Sequence, residues 1–153
     1  AQNDGAKKPK RIKDGFRSGI MLEICYAVFI CAVLLLFDKQ LIGLFGDSKQ
    51  MLSEGSRYFA VMAFFYWLPG VTNAHQGFLR GVGKMKMTLY GTLTQITFRV
   101  IFTFLLVPRI GLVGVGFACI AGWIAMLCWQ APYCIHIRKK MMTERKENYD
   151  LQG

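Results

Sequence analysis

Four long spans with almost no charge constrain this chain more than any other feature of its sequence. Ser18 to Phe37 carries one charge, Glu23; Tyr58 to Leu79 carries none; Thr88 to Val107 carries only Arg99; Leu112 to Ile135 carries none. A helix of roughly 20 residues rises about 30 Å, the thickness of a bilayer's hydrocarbon core. Membrane-crossing strands are about ten residues long and alternate in polarity, whereas these runs are longer and do not alternate. Because lipid offers the backbone no hydrogen bonds, helices are the structure left to such runs. The expected fold class is all-α and membrane-embedded, with four transmembrane helices. The mean hydropathy of +0.33 averages apolar spans with polar ends and is not evidence for a soluble chain.

The net charge of +10 invites a nucleic-acid reading until the basic residues are placed. Fourteen of them fall in the segments 1–17, 80–87 and 136–153, against four in the segment 38–57 and at Arg109, where Asp38, Asp47 and Glu54 dilute them. This alternation follows the positive-inside rule, which puts both ends of the chain and the 80–87 loop in the cytoplasm and the 38–57 loop outside. The clusters then act as topology signals and lipid-headgroup contacts, so the bilayer is the expected partner and nucleic acid is not.

Chemistry of the enzymatic kind finds no foothold. Eight of the nine carboxylates lie in loops or tails, and no Ser, His and Asp combination or carboxylate pair has workable spacing. The five cysteines all lie in spans without the C-x-x-C or Cys/His spacing of a metal site, so no metal or cofactor is expected and they read as small apolar residues. Gly114-Val115-Gly116 lacks the third glycine of a dinucleotide fingerprint. Gly114, Ala118 and Gly122 instead recur every four residues, a groove of small side chains that lets another helix approach, and Gly77 and Gly81 repeat that spacing.

Polarity inside the membrane is the functional signal. Thr88, Thr92, Gln95, Arg99 and Thr103 share one face of the third span; Pro69, Asn73, Gln76 and Arg80 share a face of the second. An Arg at the bilayer centre costs about 2.5–3.5 kcal/mol on insertion scales, so its face should look into the bundle or a wet cavity. Asn73, Gln76, Gln95 and Arg99 are therefore the candidate pathway residues; the competing reading has Asn, Gln and Thr only bridging helices. Pro69 removes a backbone hydrogen bond, leaves the carbonyl of Phe65 without its usual partner and predicts a bend or hinge. Glu23 sits roughly 8 Å below the basic edge of the membrane and Arg99 roughly 18 Å, a separation that argues against a direct ion pair. Glu23 reads either as a proton-titrating group or as an interfacial carboxylate that reaches water.

Ala1-Gln2-Asn3-Asp4-Gly5-Ala6 with the following basic stretch and Arg11-Ile12 resembles the cytoplasmic end of the eighth helix in multidrug and toxic compound extrusion transporters. Leu41-Ile42-Gly43-Leu44-Phe45, the 77–83 segment Gly-Phe-Leu-Arg-Gly-Val-Gly, and the 107–116 segment beginning Val-Pro-Arg-Ile-Gly are similar to that family's connections. The resemblance implies that the chain corresponds to helices nine to twelve of a twelve-helix, two-lobe transporter, a fragment whose partners include the remaining N-terminal helices. It implies antiport of cationic or amphipathic drugs and toxins across the plasma or inner membrane, coupled to sodium or protons. Sodium-driven members place a carboxylate at the position that aligns with Pro69, and this chain has none there, so the coupling ion stays open. Three alternatives remain: a small dimeric drug/proton exchanger using Glu23, a lipid-linked sugar flippase of the same superfamily, and a membrane scaffold without transport.

Overall fold

A computed structural model describes residues 9–46 and 48–150, and these form six helices: α1 Pro9–Leu36, α2 Asp38–Gly43, α3 Lys49–Phe65, α4 Trp67–Gly81, α5 Met85–Ile110 and α6 Val113–Asp150. No strand occurs among the described residues, so the fold is all-α. Three helices contain a stretch long and apolar enough to cross a membrane: Asp14–Leu36, Met85–Ile110 and Val113–Thr143. The apolar run expected over 58–79 is carried by two helices, the end of α3 and all of α4.

The division comes at Tyr66, three residues before Pro69. α3 closes with a tight turn, Tyr66 N–H donating to Ala63 O at 3.3 Å, and Pro69 then occupies the first turn of α4, where a missing N–H costs nothing. The irregularity expected from Pro69 is thus an interruption at the single residue Tyr66, which keeps helical dihedrals (φ −64°, ψ −16°) and lies next to Phe65.

The connections follow from local chemistry. Ser48 caps α3, its hydroxyl accepting from Met51 N–H at 3.2 Å. Gly83, at a φ of +74°, ends α4 while Lys84 N–H reaches back to Leu79 O at 2.8 Å, the six-to-one bond of a helix stop that needs a residue free of Cβ strain. α5 runs on through Pro108 to Ile110, where the sequence reading had placed a connection, and Arg109 satisfies the Leu105 carbonyl at 2.7 Å. Only Gly111, at a φ of +63°, and Leu112 separate α5 from α6, so these two helices form a tight antiparallel hairpin.

Two antiparallel pairs organise the packing. In the first, α1 meets α4 and the residue before it at Phe16 with Phe78, Glu23 with Gly70, and Tyr26 with Tyr66, contacts two turns and then one turn apart. In the second, α5 meets α6 at Leu106 with Gly114, Gln95 with Gly122, and Gly91 with Met126 and Gln130. α6 joins the pairs: Leu79, Ala118, Met126 and Gln130 are fully enclosed, while Phe78, Leu79 and Cys134 form a core cluster. The outer faces of α1 and α5 stay apolar and open, with Leu22 72% and Phe104 78% exposed, as befits surfaces for lipid or further helices.

Candidate functional site

The residues expected to line a pathway fall into three groups around α6 and the break. Glu23 lies on α1 directly across from the start of α4. A Cβ at Gly70 would stand 3.2 Å from Glu23 Cβ and 3.5 Å from its Oε2, so the glycine lets α1 come close to α4 at Glu23. Tyr66, the residue at the break, faces Tyr26 with ring centroids 6.4 Å apart and lies within the field of the Glu23 carboxylate. Glu23 is half-buried, and among the described residues it forms no ion pair with Arg99. A carboxylate, two phenols and the end of an interrupted helix therefore share one small region, the combination that can hold a proton or a small cation in a membrane.

Gln76 forms the second group. Its Nε2 donates to Met126 Sδ on α6 at 3.2 Å, a weak acceptor for a strong donor. Asn73, one turn earlier, is exposed on the face of α4 that this chain leaves uncovered. Thr72 and His75 turn back onto their own helix, bonding Pro69 O at 2.9 Å and Val71 O at 2.8 Å.

The third group is the α5 stripe. Gln95 packs under Gly122, where a Cβ would fall 2.6 Å from Gln95 O and 3.3 Å from its Cγ. Thr92 and Thr103 donate to Thr88 O and Arg99 O within α5 and bridge no helices. Arg99 is exposed, yet its charge reaches Tyr58 on α3 and Cys119 on α6, which places the guanidinium beside the α3–α6 side of the bundle. Gln76 and Gln95 each contact α6, so that helix links the polar stripes of α4 and α5.

Two features were missed by the reading of the sequence. Gln130 is fully enclosed, and both its amide atoms lack a partner among the described residues, as does the buried hydroxyl of Thr88. The signal was available, since Gln130 is the single Gln, Asn or charged residue between Leu112 and Ile135. Gly70 was also overlooked, because nothing in an isolated α4 reveals that α1 brings a carboxylate against it. The expected small-residue groove is present at Gly114, Ala118 and Gly122, but Gly77 has nothing within 4 Å of where its Cβ would be and is no helix contact.

No curated protein and no solved structure matches the chain. The MatE family model matches residues 1–105, from the basic N-terminal segment through most of α5, and the chain belongs to the multidrug and toxic compound extrusion family, whose members are membrane transporters rather than enzymes.

Proposed function

We propose that this chain supplies helices nine to twelve of a cation-coupled antiporter that exports cationic or amphipathic drugs and toxins, with both ends of the chain in the cytoplasm of a plasma or inner membrane. The observation that carries the proposal is Glu23 held against Gly70 beside the break at Tyr66, in a chain of this family. A carboxylate at an interrupted helix has two states of different charge, and binding a proton or sodium there changes what α1 and α4 gain from contact. Pro69 supplies the hinge between those states. Asn73, Gln76, Gln95 and Arg99 line the route of the substrate once the remaining helices close the cleft.

The absence of a carboxylate at position 69 favours protons over sodium as the coupling ion at this site. In vesicles carrying the full-length transporter, an imposed proton gradient drives export of a fluorescent organic cation, and Glu23→Gln abolishes that response while leaving the protein in the membrane. Undiminished proton-driven export by Glu23→Gln removes Glu23 from the mechanism; export driven by sodium alone reassigns the ion. The 153-residue chain alone, lacking the opposite lobe, exports nothing in the same assay.

A further inference from the structure

A pocket of about 270 Å³ opens at the basic end of the bundle, where α1, α4 and α6 converge. Its walls are apolar, formed by Phe16 and Ile20 of α1, Phe78 of α4 and Ile135 of α6, with His75 set into them. At its mouth Arg138 is held over the Phe16 ring, 5.6 Å from guanidinium to centroid. Phe16 is braced in turn by edge-on contacts with His75 and Phe78, at 5.4 and 5.5 Å. Among the described residues Arg138 forms no ion pair. A cation fixed by a ring but left without a counter-charge is a receptor for an anion.

From this geometry we infer that the pocket is a binding site for one anionic phospholipid, with its phosphate on Arg138 and its glycerol and first methylenes between Phe16, Ile20 and Ile135. Depth supports the assignment. Phe16 lies two residues outside the 18–37 span and Arg138 three residues outside the 112–135 span, so both stand where headgroups meet the hydrocarbon. Charge supports it as well: Arg17 and Lys139 adjoin Phe16 and Arg138 in the sequence, Arg80 follows Phe78 by two residues, and all three are exposed in basic segments, as is Asp14, the nearest carboxylate along α1. The cavity is too small for a whole lipid, and the acyl chains have an exit along the exposed apolar faces at Ile24 and Ile135. A basic pocket between membrane helices on the cytoplasmic side recognises an anionic headgroup in just this way. The site is independent of the coupling carboxylate and of the export reading.

The test uses the protein in zwitterionic micelles, with phosphatidylglycerol, phosphatidylcholine, inorganic phosphate or tetraphenylphosphonium added. Phosphatidylglycerol should raise the unfolding temperature and survive delipidation as one retained lipid in native mass spectra; the other three should do neither. Arg138→Gln should weaken retention about fivefold, the equivalent of one basic contact to an anionic surface. Ile20→Trp, which fills the cavity and keeps every charge, should also lose the lipid, while Lys139→Gln should keep it. Equal stabilisation by phosphatidylcholine, an unchanged response in both Arg138→Gln and Ile20→Trp, or a response to phosphate alone would overturn the assignment. Stabilisation by tetraphenylphosphonium instead would give the pocket to an export substrate.

Discussion

The α5–α6 hairpin and the α1–α4 pair are both antiparallel helix contacts, yet one is closed and the other is held apart. At the hairpin, two glycines meet backbone, a Cβ at Gly122 falling 2.6 Å from Gln95 O and one at Gly114 2.9 Å from both Leu106 C and Val107 N, while Gly91 lies against the side chains of Gln130 and Met126. At the α1–α4 pair the single close glycine, Gly70, is less tightly covered, a Cβ there standing 3.2 Å from Glu23 Cβ and 3.5 Å from both its backbone O and its Oε2, while the pocket under Phe16 and the open space at Gly77 separate the helices further along. Backbone contacts this tight cannot adjust without moving a whole helix, whereas a looser seam has room to adjust. The hairpin therefore serves as a rigid unit, and the seam between α1 and α4, already broken at Tyr66, is where this part of the molecule can change shape.

The same substitution, Gly to Ala, should act in opposite senses in the two regions. Gly122→Ala forces its Cβ into the Gln95 carbonyl and should destabilise the protein by about 1–3 kcal/mol, the range for overpacked interiors. Gly77→Ala meets nothing and removes a flexible residue from a helix, so it should be neutral or stabilise by up to about 1 kcal/mol. Thermal unfolding in detergent measures both. Equal losses would show that the seam is packed as tightly as the hairpin.

Thiol accessibility sharpens the contrast within α5 itself. In a cysteine-free background, Cys at position 99 should react readily with a water-soluble thiol reagent, because Arg99 projects outward. Cys at position 95 should react more slowly, since that position is half-covered where α5 passes under Gly122. Inert thiols at both positions would leave the stripe a packing feature, with no water path along it.

A smaller effect is expected at Gln130. Its amide is sealed between α5 and α6 with no partner, so exchanging it for an apolar residue of similar shape removes a desolvated polar group. Gln130→Met should stabilise by about 1 kcal/mol, near the low end of the cost of an unmade buried hydrogen bond. A loss of stability would mean that an internal water satisfies the amide, and that the hairpin is less dry than its glycines suggest.

The sequence made the hairpin legible and left the seam mostly hidden, for a physical reason. Gly114, Ala118 and Gly122 repeat at helical spacing, so one short stretch of chain announces a close helix contact. The all-α fold and its apolar spans were equally local properties, set by run length. The seam depends on which residues come from two segments some 50 positions apart: Gly70 adjoins Glu23, Phe78 braces Phe16, and no periodicity in either segment signals the pairing. Pro69 announced a bend, and the interruption falls three residues earlier, at Tyr66. The exposure of Arg99 and the enclosure of Gln130 depend on α6 in the same way, so the polar residues of the spans were visible while their surroundings were not.

The weakest expected effect lies at the opposite end of the bundle and tests whether the short α2 belongs to the rigid or the adjustable part. Asp38, the first residue of α2, takes a hydrogen bond from Ser56 on α3 and another from Lys39 N–H at 2.7 Å, and together these hold its carboxyl below the ordinary value of 3.8. A carboxyl whose proton affinity is lowered by folding stabilises the fold above its unfolded pKa, and that contribution disappears as the pH falls through the lower, folded value. The contact between α2 and α3 should thus be unaffected near neutrality and begin to loosen only below about pH 4. The side chain is only partly covered and lies in a short surface helix, so the change should be local and should leave global unfolding unmoved. Ser56→Ala should bring the Asp38 titration, followed by carboxyl NMR, back up toward its ordinary value. Should the titration stay depressed in that variant, Ser56 is not what ties α2 down, and the seating of Ile42 against Gly55 alone must hold it.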